Sequence, residues 1–165
     1  MNVKEITANS GGKLEGLEYR LKTPSSTYEK IYLREESTPI SEMNDLIRYT
    51  KIFEPSNLAE GTNLSLRQFE ANGYTVVKVK NSWCNPKILY NGINTTIISP
   101  EGQAFEVQFH TIESFNLKNG ELHSLYEQQR ILSNTDPLWD QLRGKMFELS
   151  ESLQMPDNIS EVISK

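Results

Sequence analysis

The stretch Ala104-Phe105-Glu106-Val107-Gln108-Phe109-His110-Thr111 decides the fold. Its alternation has the two-residue period of a β-strand, so Phe105, Val107 and Phe109 share one face and Glu106, Gln108 and His110 the other. One face is core. Three polar groups in a row on the other fit either a solvent-facing antiparallel strand or the floor of a site, and the strand alone does not choose between them.

Working outward, Pro100-Glu101-Gly102 predicts a hairpin turn back into a strand over 88–99, and a further strand precedes it over 75–83. Gly73 reads as the C′ residue of a helix over 62–72, with Pro55 separating that helix from a strand over 44–53. A strand over 17–22 leads through Pro24 to a helix, for which Ser26 and Glu29 suggest a capping box. The last third is helical. One helix follows Asn119-Gly120, and another opens at Asp136 with Pro137 at N1, spacing Leu138, Leu142, Leu149 and Leu153 along one face. The expected class is α+β, a mixed sheet of about five strands flanked by helices. Residues 1–13, polar and containing Gly11-Gly12, read as a flexible lead, and 14–165 as a single domain.

Composition narrows the function. The 165-residue chain carries net charge −5, which argues against sequence-independent binding to long nucleic acid, since that affinity depends on neutralised phosphates. A small phosphorylated ligand remains compatible if cations gather in one cleft. The single cysteine, Cys84, excludes an internal disulfide and reads as a buried or neutral thiol; with two histidines, a zinc site is not expected. No apolar run is long enough to span a membrane, so the expectation is a soluble chain.

The other segments add polar groups to the face of Glu106. Arg20 and Lys22 share a strand face, Asp45 opens the next strand, and Tyr90, Gly92, Asn94 and Thr96 alternate along the fourth. Two separated carboxylates with nearby cations suit a metal-assisted phosphate site. Ser26 and Lys30, at the positive N-terminus of the first predicted helix, would receive a phosphate or serve only as a cap and a solvated lysine. His123, Tyr126, Glu127 and Arg130 fall on one helical face, a spacing that fits a solvated stripe as readily as a site wall. Lys78 and Lys80 share a strand face that ordinary solvent exposure also explains.

In order and spacing, the set Arg20-x-Lys22-x-x-x-Ser26-x-x-x-Lys30, Asp45, Tyr90-x-Gly92-Ile93-Asn94, Glu106-Val107-Gln108-Phe109-His110-Thr111 and His123-x-x-Tyr126 resembles the synthetase domain of RelA/SpoT homologues. These are the makers of (p)ppGpp-type alarmones. The resemblance spans about residues 17–132 and implies a nucleotidyltransferase-like fold. It implies a Mg²⁺-dependent pyrophosphokinase that moves the β,γ-pyrophosphate of ATP to the 3′-hydroxyl of a nucleotide.

On that resemblance Arg20 borders the adenine and Lys22, Ser26 and Lys30 hold the phosphates. Asp45 and Glu106 hold Mg²⁺, Tyr90 stacks on the acceptor base with Asn94 and His110 beside it, Gln108 supports Glu106, and His123 closes the site. Glu106 is also the candidate proton acceptor.

Three positions depart from the family pattern. Leu46-Ile47-Arg48-Tyr49-Thr50 stands where the family has a glycine and then an adenine-packing arginine; Arg48 takes that ATP-side role from a neighbouring position and should share a face with Thr50. Asn94 stands in place of a histidine, and His110 in place of an arginine. With Lys118 ahead of His123, these variants resemble the toxin branch of the family. That branch implies an antitoxin or immunity partner, a cytoplasmic place of action reached by delivery or phage association, and two acceptor classes: free nucleotides or the 3′ end of tRNA. A catalytically degenerate nucleotide- or partner-binding module is the alternative from another class. A nucleotidyltransferase adding NMP units fits poorly, because the chain has no D-x-D.

Overall fold

The computed structural model describes residues 3–32 and 43–165. The Lys30 side chain, and the part of the first predicted helix beyond residue 32, lie outside the described residues. The elements, in order, are α1 (Val3–Asn9), β1 (Lys13–Glu15), α2 (Pro24–Tyr32), β2 (Arg48–Ile52), α3 (Leu58–Ala71), β3 (Thr75–Asn81), β4 (Ile93–Ile98), β5 (Ala104–His110), α4 (Ile112–Asn119), α5 (Glu121–Gln129) and α6 (Pro137–Glu151). Five strands form one mixed sheet in the order β1-β2-β5-β4-β3; β2 and β5 are parallel and the other pairs antiparallel. The α+β expectation holds.

β5 lies at the centre, and its alternation divides the molecule. Phe105, Val107 and Phe109 join Ile93, Ile97, Val76 and Val79 under α1, α3 and the C-terminal Ile159 and Val162. Burying side chains of this size contributes about 1.5–3 kcal/mol each. A second, smaller cluster of Leu122, Leu125, Leu142 and Met146 lies between α5 and α6.

Several local expectations are corrected. Residues 3–13 do not read as a loose lead in the structure: α1 packs Ile6 into the main core at 0% exposure, and β1 is one edge strand of the sheet. Glycine-rich polar sequence suggested flexibility, but one apolar residue per helical turn suffices when a core lies beneath it.

The strand expected over 17–22 is a 3-10 turn, Leu17–Tyr19, entered through Gly16 in the left-handed region, followed by one bridge between Leu21 and Ile47. A positive φ turns the chain out of extended geometry. Helix α2 is capped by Thr23, whose hydroxyl accepts the Ser26 N–H at 3.2 Å, so Ser26 occupies N3 and is not the cap. Cys84 is exposed, not buried.

The segment before Gly120 holds a helix the sequence reading passed over. In α4, Thr111 accepts from the Ser114 N–H and Ser114 from the Thr111 N–H, a reciprocal cap. The fourth strand is confined to Ile93–Ile98, leaving residues 88–92 as the loop that carries Tyr90. On α6, Leu142 and Met146 make the buried face, while Leu138 stays exposed and Leu153 packs on the main core.

Candidate active site

Sheet register assembles the site. β2 and β5 set Arg48 beside Glu106 and Thr50 beside Gln108; β4 sets Thr96 beside Glu106 and Asn94 beside Gln108; β3 adds Lys78 beside Thr96 and Lys80 beside Asn94. Two rows of polar side chains therefore cross four strands on the face opposite the main core. Arg48 shares that face with Thr50, as expected.

The side chains are joined in one network. Lys22 Nζ lies 3.2 Å from Asp45 Oδ2, Arg48 Nη2 3.7 Å from the same oxygen, and Arg48 Nε 2.5 Å from Glu106 Oε2. Gln108 donates to Glu106 Oε1 at 3.2 Å and accepts from Lys118 Nζ at 2.7 Å. The Lys118 ammonium also lies 5.9 Å from the centre of the Tyr90 ring, within cation–π range. Asp45 sits in the turn before β2, where the hydrogen bonds Lys22 N–H to Leu46 O and Arg48 N–H to Arg20 O hold it beside Lys22.

Tyr90 is fixed from behind. Its hydroxyl donates to Asn94 Oδ1 at 2.5 Å and lies 2.8 Å from His110 Nε2, while His110 Nδ1 lies 2.9 Å from Ser114 Oγ. With Tyr90 donating to Asn94, the matching tautomer has Nε2–H donating to the phenol oxygen and Nδ1 accepting from the Ser114 hydroxyl. Nδ1 shares that hydroxyl with the Thr111 carbonyl at 3.2 Å, while the Ser114 oxygen accepts the Thr111 N–H. Gly92 leaves room for this arrangement, since a Cβ there would meet His110 Cε1 and the Tyr90 hydroxyl at 2.6 Å.

Burial sets the charge states. His110 is fully buried, and desolvation, reinforced by the Lys118 cation, pushes its pKa down to about 3, so the ring is neutral. The Tyr90 phenol is pushed up by desolvation and by Glu106, and stays protonated. Lys118 is brought down to about 8, first by desolvation and then by Arg48.

Two cavities meet at this network. One, of about 530 Å³, is walled by Tyr90, Ile88, Leu122, His123, Tyr126 and Met146. The other, of about 370 Å³, is walled by Glu15, Glu18, Tyr19, Thr50 and Phe115. Arg48, Lys118 and Asn119 line both and form the wall between them.

The structure thus brings together Lys22, Asp45, Arg48, Tyr90, Asn94, Glu106, Gln108 and His110. It places His110 and Asn94 behind the Tyr90 hydroxyl, where they position it. Gln108, 3% exposed, is held between Glu106 and Lys118. Arg20 donates to the Leu17 carbonyl at 3.0 Å, Ser26 is exposed near the start of α2, and exposed His123 stands on the cavity rim. Further along α5, Glu127 and Arg130 pair with each other at 3.1 Å on the surface. Lys118 was noted in sequence only as a spacing ahead of His123; its place in the network follows from α4, whose Thr111 cap was the overlooked signal.

Among the described residues no cluster of three or more His, Cys, Asp or Glu could hold a metal ion by itself. Asp45 and Glu106 instead bracket one cation, the Arg48 guanidinium. Two carboxylate oxygens suit Mg²⁺, which takes one or two protein carboxylates and completes its shell with phosphate oxygens and water.

No family model and no curated protein matches the sequence. Solved structures do. The Type VI effector Tas1, solved in complex with its immunity protein, is 20% identical, with TM-score 0.62 over 90% of this chain and 85% of that one. Small alarmone synthetase 1 from Bacillus subtilis is 17% identical, with TM-score 0.63 over 91% and 80%; it is also solved bound to its product pppGpp. A GTP pyrophosphokinase family protein from Streptococcus pneumoniae is 13% identical, with TM-score 0.60 over 90% and 76%. The class defined by the sheet and its order is therefore the RelA/SpoT-like synthetase fold. Within it, this chain's fold is shared by a small alarmone synthetase and by a Type VI effector alike.

Proposed function

We propose that the protein is a pyrophosphokinase, transferring the β,γ-pyrophosphate of ATP to the 3′-hydroxyl of a nucleotide acceptor. The observation that carries this reading is the cation–carboxylate network from Lys22 through Asp45, Arg48 and Glu106 to Lys118, set between two cavities, one of them walled by the fixed ring of Tyr90.

The chemistry asks for positioning and charge stabilisation more than for a nucleophilic side chain. The acceptor oxygen forms a bond to the β-phosphorus; the bond from that phosphorus to the α,β-bridging oxygen breaks, and its electron pair leaves with AMP. The hydroxyl proton passes to the Glu106 carboxylate and then to solvent. Lys22, with Ser26 and the backbone N–H groups at the start of α2, supports the donor phosphates, and Arg20 and Arg48 the rest of the donor. Tyr90, held by Asn94 and His110, offers its face to the acceptor base, and His123 covers the same cavity. Mg²⁺, held by Asp45 and Glu106, would neutralise phosphate oxygens when bound.

A second acceptor, the 3′ end of tRNA, is favoured by one observation: the polar face continues past Thr96 and Asn94 to exposed Lys78 and Lys80. The likeness to Tas1, solved with its immunity protein, supports an inhibitory protein partner and action in the cytoplasm of a target cell; this is an argument from fold.

The test is incubation with labelled ATP, Mg²⁺ and, separately, GDP, GTP, ADP, AMP and tRNA, with AMP release and product mass as readouts. AMP together with a product heavier by one pyrophosphate is expected for at least one acceptor. No AMP with any acceptor, alongside measurable nucleotide binding, would establish the degenerate binding module instead. Glu106→Gln should lower transfer on the order of a hundred-fold or more; a loss below threefold would move the chemistry away from Glu106.

A further inference from the structure

We propose that Lys118 is a catalytic residue of this site: its ammonium meets the pyrophosphate group as it passes between the two cavities. The inference rests on the pyrophosphokinase reading and deepens it.

Position comes first. A group transferred between a donor in one cavity and an acceptor in the other crosses their common wall, and that wall is made by Arg48, Lys118 and Asn119. Two of the three carry positive charge, but they are not equivalent. Arg48 is committed to carboxylates on both sides, Asp45 and Glu106. Lys118 is not paired with a carboxylate among the described residues; its hydrogen-bond partner is the neutral amide oxygen of Gln108 at 2.7 Å, and its other neighbour is the Tyr90 ring. Burying an ammonium with only a neutral acceptor and a ring face is costly, and a structural role does not require it. Glu106 acts on the cation only across Gln108, so among the described residues Lys118 has no direct carboxylate partner where an anionic group would arrive.

Direction comes second. Lys118 lies in the last turn of α4, whose C-terminal carbonyls favour a cation and offset part of the cost of holding it there. The helix start is fixed by the Thr111–Ser114 cap, and Ser114 also holds His110 behind Tyr90. One helix thus sets both the ring that would carry the acceptor and the ammonium beside it. In the transfer, the β-phosphorus exchanges its bridging oxygen for the acceptor oxygen. The charge that grows on the oxygens of the moving group is met by Lys118 without any proton transfer.

A positioning role, in which Lys118 only orients Gln108 beside Glu106, makes a different prediction, and the experiment separates the two. Wild type, Lys118→Met, Lys118→Arg and Gln108→Leu are compared for transfer at saturating ATP and acceptor, for affinity toward a non-hydrolysable ATP analogue by calorimetry, and for melting midpoint. The expected result is a hundred-fold or greater fall in kcat for Lys118→Met, analogue affinity within threefold of wild type, partial recovery in Lys118→Arg, and a smaller loss in Gln108→Leu.

The proposal is overturned if Lys118→Met keeps more than a third of wild-type kcat, if analogue affinity falls as far as kcat, or if Gln108→Leu reproduces the whole loss. Should Lys118→Met fail to fold, Lys118→Gln takes its place under the same limits; if neither folds, the residue is structural and the proposal falls. Failure of the underlying reading shows separately, as a wild-type protein that transfers to no acceptor.

Discussion

Mild acid should destabilise this protein through His110. The ring is fully buried; it faces the Tyr90 phenol and Ser114 Oγ, with the Lys118 and Arg48 cations nearby, and its pKa is pushed down to about 3. In the unfolded chain the same ring titrates at about 6.5. Between those values the unfolded state binds a proton that the folded state refuses, so stability is fully present above about pH 6.5 and falls as pH drops toward 3. From about pH 7 to about pH 5 the loss works out at about 2 kcal/mol, with a limiting slope of about 1.4 kcal/mol per pH unit.

Urea melts across that interval, on wild type and His110→Gln, would measure it. His110→Gln should lose most of the wild-type slope while being less stable at neutral pH. Equal stability of the wild type at both ends of the interval, or an undiminished slope in His110→Gln, would refute the buried neutral ring.

Gly92→Ala places a methyl at 2.6 Å from both the Tyr90 hydroxyl and His110 Cε1, so it should cost about 1–3 kcal/mol in chemical denaturation and depress transfer by displacing Tyr90. Lys51, 0% exposed, donates to Ser10 and Ser65 and has its pKa lowered by desolvation to about 8. The unfolded chain keeps that proton to about pH 10.5, so stability should rise as pH climbs from about 8 toward 10.5. Lys51→Met should abolish the rise and be neutral or stabilising by about 1–4 kcal/mol at pH 7, because Ser10 and Ser65 still bond each other and the Ile6 and Gly61 carbonyls. Thr111→Ala removes half of the reciprocal cap on α4 and should lower stability by about 1 kcal/mol, read as a shift of the denaturation midpoint without a change in slope.

Much of the sheet was legible because alternation is local. Phe105, Val107 and Phe109 announce a core face whatever lies around them, and Pro100-Glu101-Gly102 announces the turn. The polar face of the same strand was legible as a site only beside residues from other segments, since exposed strands show the same pattern. The edge strand and α1 were misread because their cohesion comes from a neighbour: Ile6 looks isolated in a polar sequence until α3 and the sheet cover it.

By itself, then, the sequence determined the α+β class, the two faces of β5 and the order of the polar motifs, all of which follow from the period of the backbone. Tertiary structure decided the rest. Parallel pairing of β2 with β5 puts Arg48 against Glu106 across 58 positions of chain, and the helix after Thr111 brings Lys118 onto Gln108. Such contacts depend on strand register and helix direction, which local sequence does not encode. They turn a motif expected to pack on adenine into a guanidinium held between two carboxylates, and a lysine noted only for its spacing ahead of His123 into part of the wall between two cavities.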